Sequence, residues 1–178
     1  MKWWVLPTSF WLLFGCITSG DHDLDPYSPN FNTTDASELY FKNVRQYYYD
    51  LEEQDGQNMF SLGNRNQEAS YPNLILIITM DWRKDQAYLS LASSPYFSED
   101  SPIEVQALAR ERDEHHKLVS RDKVETFAFV TKIYQSILNE QKLYVLIDDK
   151  QYPLFANESD REAFRITAFD FYRLVGLQ

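Results

Sequence analysis

Hydrophobic positions fall in short blocks separated by polar stretches, and the spacing within each block suggests which elements form. Between Asp35 and Gln54, residues Leu39, Tyr40, Val44, Tyr47, Tyr48 and Leu51 recur at the i, i+3/i+4 interval of one helix face. Thr34 or Asp35 supplies a cap, and Glu38 lies in the first turn, where the helix dipole favours an anion. Asp55-Gly56 reads as the stop. A stripe of this kind predicts packing on a sheet with the tyrosine hydroxyls at the rim. A strip that binds carbohydrate or a protein partner is the competing reading.

Further along, Gly63 to Ser70 is a polar loop. Leu74 to Ile78 is a continuous aliphatic run, as in a strand buried on both faces. Trp82 to Asp85 marks a turn and Ala87 to Leu91 a returning strand, followed by a loop from Ser93 to Pro102. Ile103 to Val119 is the most charged segment; it opens as strand or helix, and Arg110 to Lys117 mixes both signs as a solvated face does.

From Val124 two periods compete. Phe127, Phe129, Thr131 and Ile133 alternate as in a strand, whereas Val124, Phe127, Ala128, Thr131, Tyr134 and Leu138 share one helix face. The β-branched and aromatic content favours the strand. Leu143–Ile147 and Gln151–Phe155 read as a hairpin with an acidic tip at Asp148-Asp149, its second arm held at a sheet edge by Pro153. Ser159-Asp160-Arg161-Glu162 matches a capping box for a helix carrying Phe164, Ala168, Phe171 and Val175, with a strand over Phe164–Thr167 as the alternative. The pattern predicts an α+β fold: an antiparallel sheet covered on one face by the N-terminal helix and by a C-terminal helical segment.

The 178-residue chain suits one folded unit, spanning 35–178, after a signal at 1–15 and a tether at 16–34. With 12 Phe, 12 Tyr and 4 Trp it has ample material for a core. The net charge is −10, and loss of residues 1–15 removes Lys2 and no acid, leaving the remainder more negative still. Such a surface repels phosphate backbones, so nucleic acid is excluded as a partner class. A basic protein, a cation or a neutral ligand is compatible with it.

The N-terminus carries an address. Lys2 and the α-amino group precede a largely apolar stretch from Trp3 to Gly15, too short to span a bilayer and interrupted by Pro7. It ends in Leu13-Phe14-Gly15-Cys16, which resembles the lipobox of bacterial lipoproteins, with Phe14 in place of the usual small residue. The resemblance covers only this segment. It implies that the Cys16 thiol receives a diacylglycerol and becomes the new N-terminus. Cys16 is the one cysteine in the chain, and acylation disposes of an otherwise unpaired thiol. Cleavage after Gly20, which discards Cys16 and releases a secreted protein, is the alternative. Ile17 to Thr34 is polar and proline-containing, as a tether is. The resemblance places the protein in a bacterial envelope, anchored at the outer membrane on its periplasmic or surface face.

Candidate chemistry is sparse. Glu111, Asp113, Glu114, His115 and His116 bring imidazole and carboxylate together, the donor types of a zinc site. Adjacent histidines point to opposite faces of a strand, and no HExxH or second histidine cluster supports a metal; His22 lies in the tether. Asp148-Asp149 lacks the spaced oxygens of a calcium loop and reads as a turn. Neither a GxSxG elbow nor a phosphate-binding glycine loop occurs. Asn32-Thr33-Thr34 and Asn157-Glu158-Ser159 match the glycosylation triplet and are read as silent beside a bacterial address. No catalytic residue, metal or cofactor is therefore expected. The expectation is a lipid-anchored envelope protein with a binding or assembly role, its partners the membrane and an envelope protein. The alternatives are an envelope hydrolase with a site assembled from distant residues, and a secreted, unanchored binding protein.

Overall fold

A computed structural model of the chain describes residues 29, 31–62, 71–92, 95–97, 101–109, 113–148 and 150–177. The lipobox, Cys16 and most of the tether lie outside the described residues, as does the loop at 63–70. The protein is α+β. It contains two four-stranded antiparallel sheets rather than one, with helices packed against them.

The first sheet is a meander of β1 (Tyr49–Gln54), β2 (Gln57–Leu62), β3 (Leu76–Asp81) and β4 (Gln86–Leu91), in that order. Tyr49 pairs with Leu62, Leu51 with Phe60, Phe60 with Ile78, and Ile78 with Leu89. These residues therefore share one face. Asp50 and Glu52 of β1 belong to the opposite face, with Ser61 and Met59 beside them. The second sheet has the order β6 (Glu114–Leu118), β5 (Ile103–Leu108), β7 (Lys142–Ile147) and β8 (Lys150–Pro153). Pro153 does lie on an edge strand, where its missing N–H costs no ladder bond.

Three helices complete the fold: α1 (Asp35–Tyr40), α2 (Lys123–Leu138) and α3 (Glu158–Leu174). α3 packs on β2, β3 and β4, burying Phe164, Ala168 and Phe171 as its periodicity predicts. Its cap is Asn157, whose side chain accepts from Asp160 N, and not Ser159. The same Asn157 also donates to Tyr71. α2 touches β4 of the first sheet, β6 and β7 of the second, and α3.

Three expectations are corrected. Residues 124–138 form a helix and not a strand. Because α2 is enclosed by both sheets and by α3, Phe127, Phe129, Val130, Ile133 and Tyr134 are all buried, and so broad an apolar surface obscures the 3.6-residue period. The N-terminal helix does not reach Gln54. α1 continues through a π-helical turn (Phe41–Arg45) and a 3-10 turn (Gln46–Tyr48), and Tyr49–Gln54 is strand. Asp55-Gly56 consequently ends no helix; it joins β1 to β2. Asp55 at φ 49° and Gly56 at φ 79° give the two positive φ values of a type I′ hairpin turn.

Candidate functional site

The tyrosine stripe predicted to pack on the sheet does not do so. The irregular winding from Phe41 to Tyr48 turns only Phe41 and, at the start of β1, Tyr49 inward. Phe41 packs edge-on against Phe60, ring centroids 5.0 Å apart, and beside Tyr49 at 5.6 Å. Tyr47 is left 82% exposed, Tyr48 61% and Leu39 61%, and Val44 and Leu51 are exposed as well. Five apolar side chains thus face solvent in the short stretch of chain from Leu39 to Leu51, which forms an apolar ridge in sequence order.

A buried polar junction holds that ridge in place. Arg45 Nε donates to both carboxylate oxygens of Asp170 on α3, at 2.9 and 2.8 Å, and Tyr49 Oη donates to the same carboxylate at 2.7 Å. Asp170 is 3% exposed. Burial opposes the charge on Arg45, but the bond and charge of Asp170 outweigh it and hold the guanidinium pKa above its usual value. Burial pushes the Tyr49 phenol up, and the neighbouring carboxylate pushes it further, so the phenol stays a donor. Arg45 also lies over the Tyr48 ring at 5.0 Å, and Arg173 of α3 over the Tyr40 ring at 3.8 Å. The segment is therefore fixed to α3 by polar groups beneath it, while its apolar side chains point outward.

Beside the ridge runs β1, an edge of the first sheet with no strand partner on its outer side among the described residues. The opposite edge is covered in part. Ala87 N donates to Phe31 O and Thr33 N to Asp85 O, so residues 31–33 lie along the start of β4. On β1, Asp50, Glu52 and Glu53 are exposed, and none of them forms an ion pair among the described residues.

The histidine cluster is divided by the strand it occupies. On β6, His115 is exposed beside Gln106 of β5, whereas His116 is buried beside Val105. Glu111 lies outside the described residues. Asp113, Glu114, His115, His116, Lys132 and Gln135 line an open groove of about 610 Å³ between β6 and α2. His116 Nε2 is 3.2 Å from Ser136 Oγ and 3.8 Å from Glu114 Oε2. Burial, opposed by Glu114 and aided by Lys132 and His115, lowers the His116 pKa below its ordinary value of 6.5. The ring is thus a neutral partner for Ser136. Both contacts converge on one nitrogen, so the carboxylate does not orient the ring from Nδ1 as in a hydrolytic triad. Ser136 is itself buried on α2. Among the described residues, no three His, Cys, Asp or Glu side chains come together as metal ligands.

Sequence periodicity found the ridge residues but assigned them to the core. The Arg45–Asp170 junction, which joins distant parts of the chain, leaves no local signal. No family model matches the chain, and no curated protein or solved structure matches it.

Proposed function

We propose that the protein is a lipid-anchored component of a bacterial envelope that holds a protein partner through the ridge of Leu39, Val44, Tyr47, Tyr48 and Leu51. The observation that carries this reading is the exposure of Tyr47 and Tyr48 on a segment pinned from beneath by Arg45 and Asp170. Rigid, exposed aromatic side chains lose little entropy on contact and are enriched where interfaces concentrate their energy. Cys16 supplies the anchor, and the polar residues after it give the domain reach from the membrane.

A photo-crosslinking residue placed at Tyr47 in the full chain, expressed in its native host, tests the reading. The expected result is one discrete protein adduct in the membrane fraction, absent when the same residue replaces Lys142 on β7. A Cys16→Ala variant is expected to leave that fraction and lose the mass of its acyl chains. No adduct at Tyr47, or a wild-type chain that stays unacylated and soluble, overturns the proposal.

The groove between β6 and α2 favours a second reading, an envelope hydrolase using His116 and Ser136. The convergence of Ser136 and Glu114 on one ring nitrogen and the burial of Ser136 weigh against it. Turnover of an envelope glycan or peptide by the purified protein, abolished by Ser136→Ala, is the result that would restore it.

A further inference from the structure

We infer that the partner presents a basic, extended polypeptide segment that adds to the free edge of β1 beside the tyrosine ridge. The inference rests on the reading of that ridge as a binding surface and goes on to name what it binds. The outer edge of β1 has no strand partner among the described residues, so alternate backbone N–H and C=O groups along it face no described strand and can pair with an incoming one.

The side chains define that strand. Asp50 and Glu52 project on one face of the sheet and Leu51 on the other, and the exposed Tyr47 and Tyr48 precede the strand in the chain. A segment alternating Lys or Arg with apolar residues sets its cations against Asp50 and Glu52 and its apolar side chains against Leu51. Opposite charges on neighbouring strands attract and like charges repel. A second copy of this chain fits poorly: antiparallel pairing of two β1 strands about Leu51 sets Asp50 opposite Glu52 on the same face. The carboxylates that guard the edge against self-pairing thus become its attraction for a basic strand. The ridge itself is suited to cations, because Tyr40 and Tyr48 already lie under guanidinium groups while Tyr47 has none among the described residues.

The test uses the full chain and a labelled peptide alternating lysine and valine, followed by fluorescence anisotropy at low and high salt. Binding is expected to be saturable and to weaken by about tenfold or more in an Asp50→Lys/Glu52→Lys variant, and again in Tyr47→Ser/Tyr48→Ser. Thermal melts establish that each variant remains folded; should the charge-reversed variant unfold, Asp50→Asn/Glu52→Gln takes its place. Binding of the basic peptide that none of these changes weakens is diffuse attraction to an acidic surface, and overturns the inference. Absence of peptide binding also overturns it, as does equal binding of a glutamate–valine peptide. Binding of a neutral oligosaccharide at the ridge in place of the peptide likewise overturns it. An adduct at Tyr47 in the native host, obtained alongside any of these failures, leaves the ridge as a binding surface and removes only the basic strand.

Discussion

Arg45 Nε stands 2.9 and 2.8 Å from the two carboxylate oxygens of Asp170, joining the turn before β1 to the C-terminal part of α3. Tyr49 shares the same carboxylate, so Asp170 serves two donors from one buried position. The partners do not lose equally when one is removed. Asp170→Ala leaves a guanidinium and a buried phenol without their acceptor, and is expected to cost about 2–4 kcal/mol. Arg45 is partly exposed and Tyr49 continues to satisfy the carboxylate, so Arg45→Ala is expected to cost about 1–2 kcal/mol. Urea denaturation of both single variants and the double variant measures the coupling. Equal losses for the two single variants would mean that the junction is not organised around the carboxylate.

The ridge and the core differ by a single position in the chain: Tyr48 is 61% exposed and Tyr49, next to it, 8%. Phe41 is likewise buried against Phe60, at 2%, between the exposed Leu39 and Val44. Phe41→Ala is therefore expected to cost about 3–5 kcal/mol through the cavity it leaves. Tyr47→Ser, at a position that packs on little, is expected to change stability by less than about 0.5 kcal/mol. Chemical denaturation compares the two. A large loss for Tyr47→Ser would place that ring in the core and remove the ridge.

Gly56 shows how one residue sets the first hairpin. Its φ of 79° lies in the left-handed region, and a Cβ there would stand 2.8 Å from Arg83 Cζ. Arg83 bridges from the β3–β4 turn to Asp55 O at 2.6 Å. Gly56→Ala is expected to destabilise by about 1–3 kcal/mol, through backbone strain and displacement of that bridge. Arg83→Ala combined with Gly56→Ala removes the collision and isolates the strain. Full recovery of stability in the double variant would show that steric overlap, not φ, sets the cost.

The amino-acid pattern was most legible where an element has one wet face. α3 alternates buried and exposed positions at helical spacing, and Phe164, Ala168 and Phe171 are read correctly from that spacing. The hairpin of β7 and β8 is equally plain, since an acidic tip separates the apolar run of β7 from an exposed second arm that carries Pro153 at the edge. α2 was not legible by period because it is buried on several sides, although Asp122, which caps Val124 N and Glu125 N, offers a local signal for its start. The tyrosine stripe misleads for the opposite reason. Its helical spacing is present in the sequence, but the winding changes at Phe41 and again at Gln46, so the positions do not turn towards the core. The ridge is consequently a product of a local change in helix type, which periodicity does not report.

His116 makes stability depend on pH in a definite sense. The ring is 5% exposed, faces Glu114 and His115 of its own strand and Lys132 and Ser136 of α2, and holds its pKa below 6.5. The unfolded chain takes up a proton near that ordinary value, while the folded chain does not until the pH is lower. Between the two pKa values the unfolded state binds more protons, so stability rises with pH across the window. The stability that His116 contributes is fully present above about pH 6.5 and is lost as pH falls towards the lowered folded value. His116→Gln keeps a polar group facing Ser136 and does not titrate. Urea denaturation of both proteins across this range is expected to give parallel curves above the window and a steeper decline for wild type within it. Curves that stay parallel down to low pH would mean that the folded protein protonates His116 as readily as the unfolded chain, and that burial beneath the groove does not keep the ring neutral.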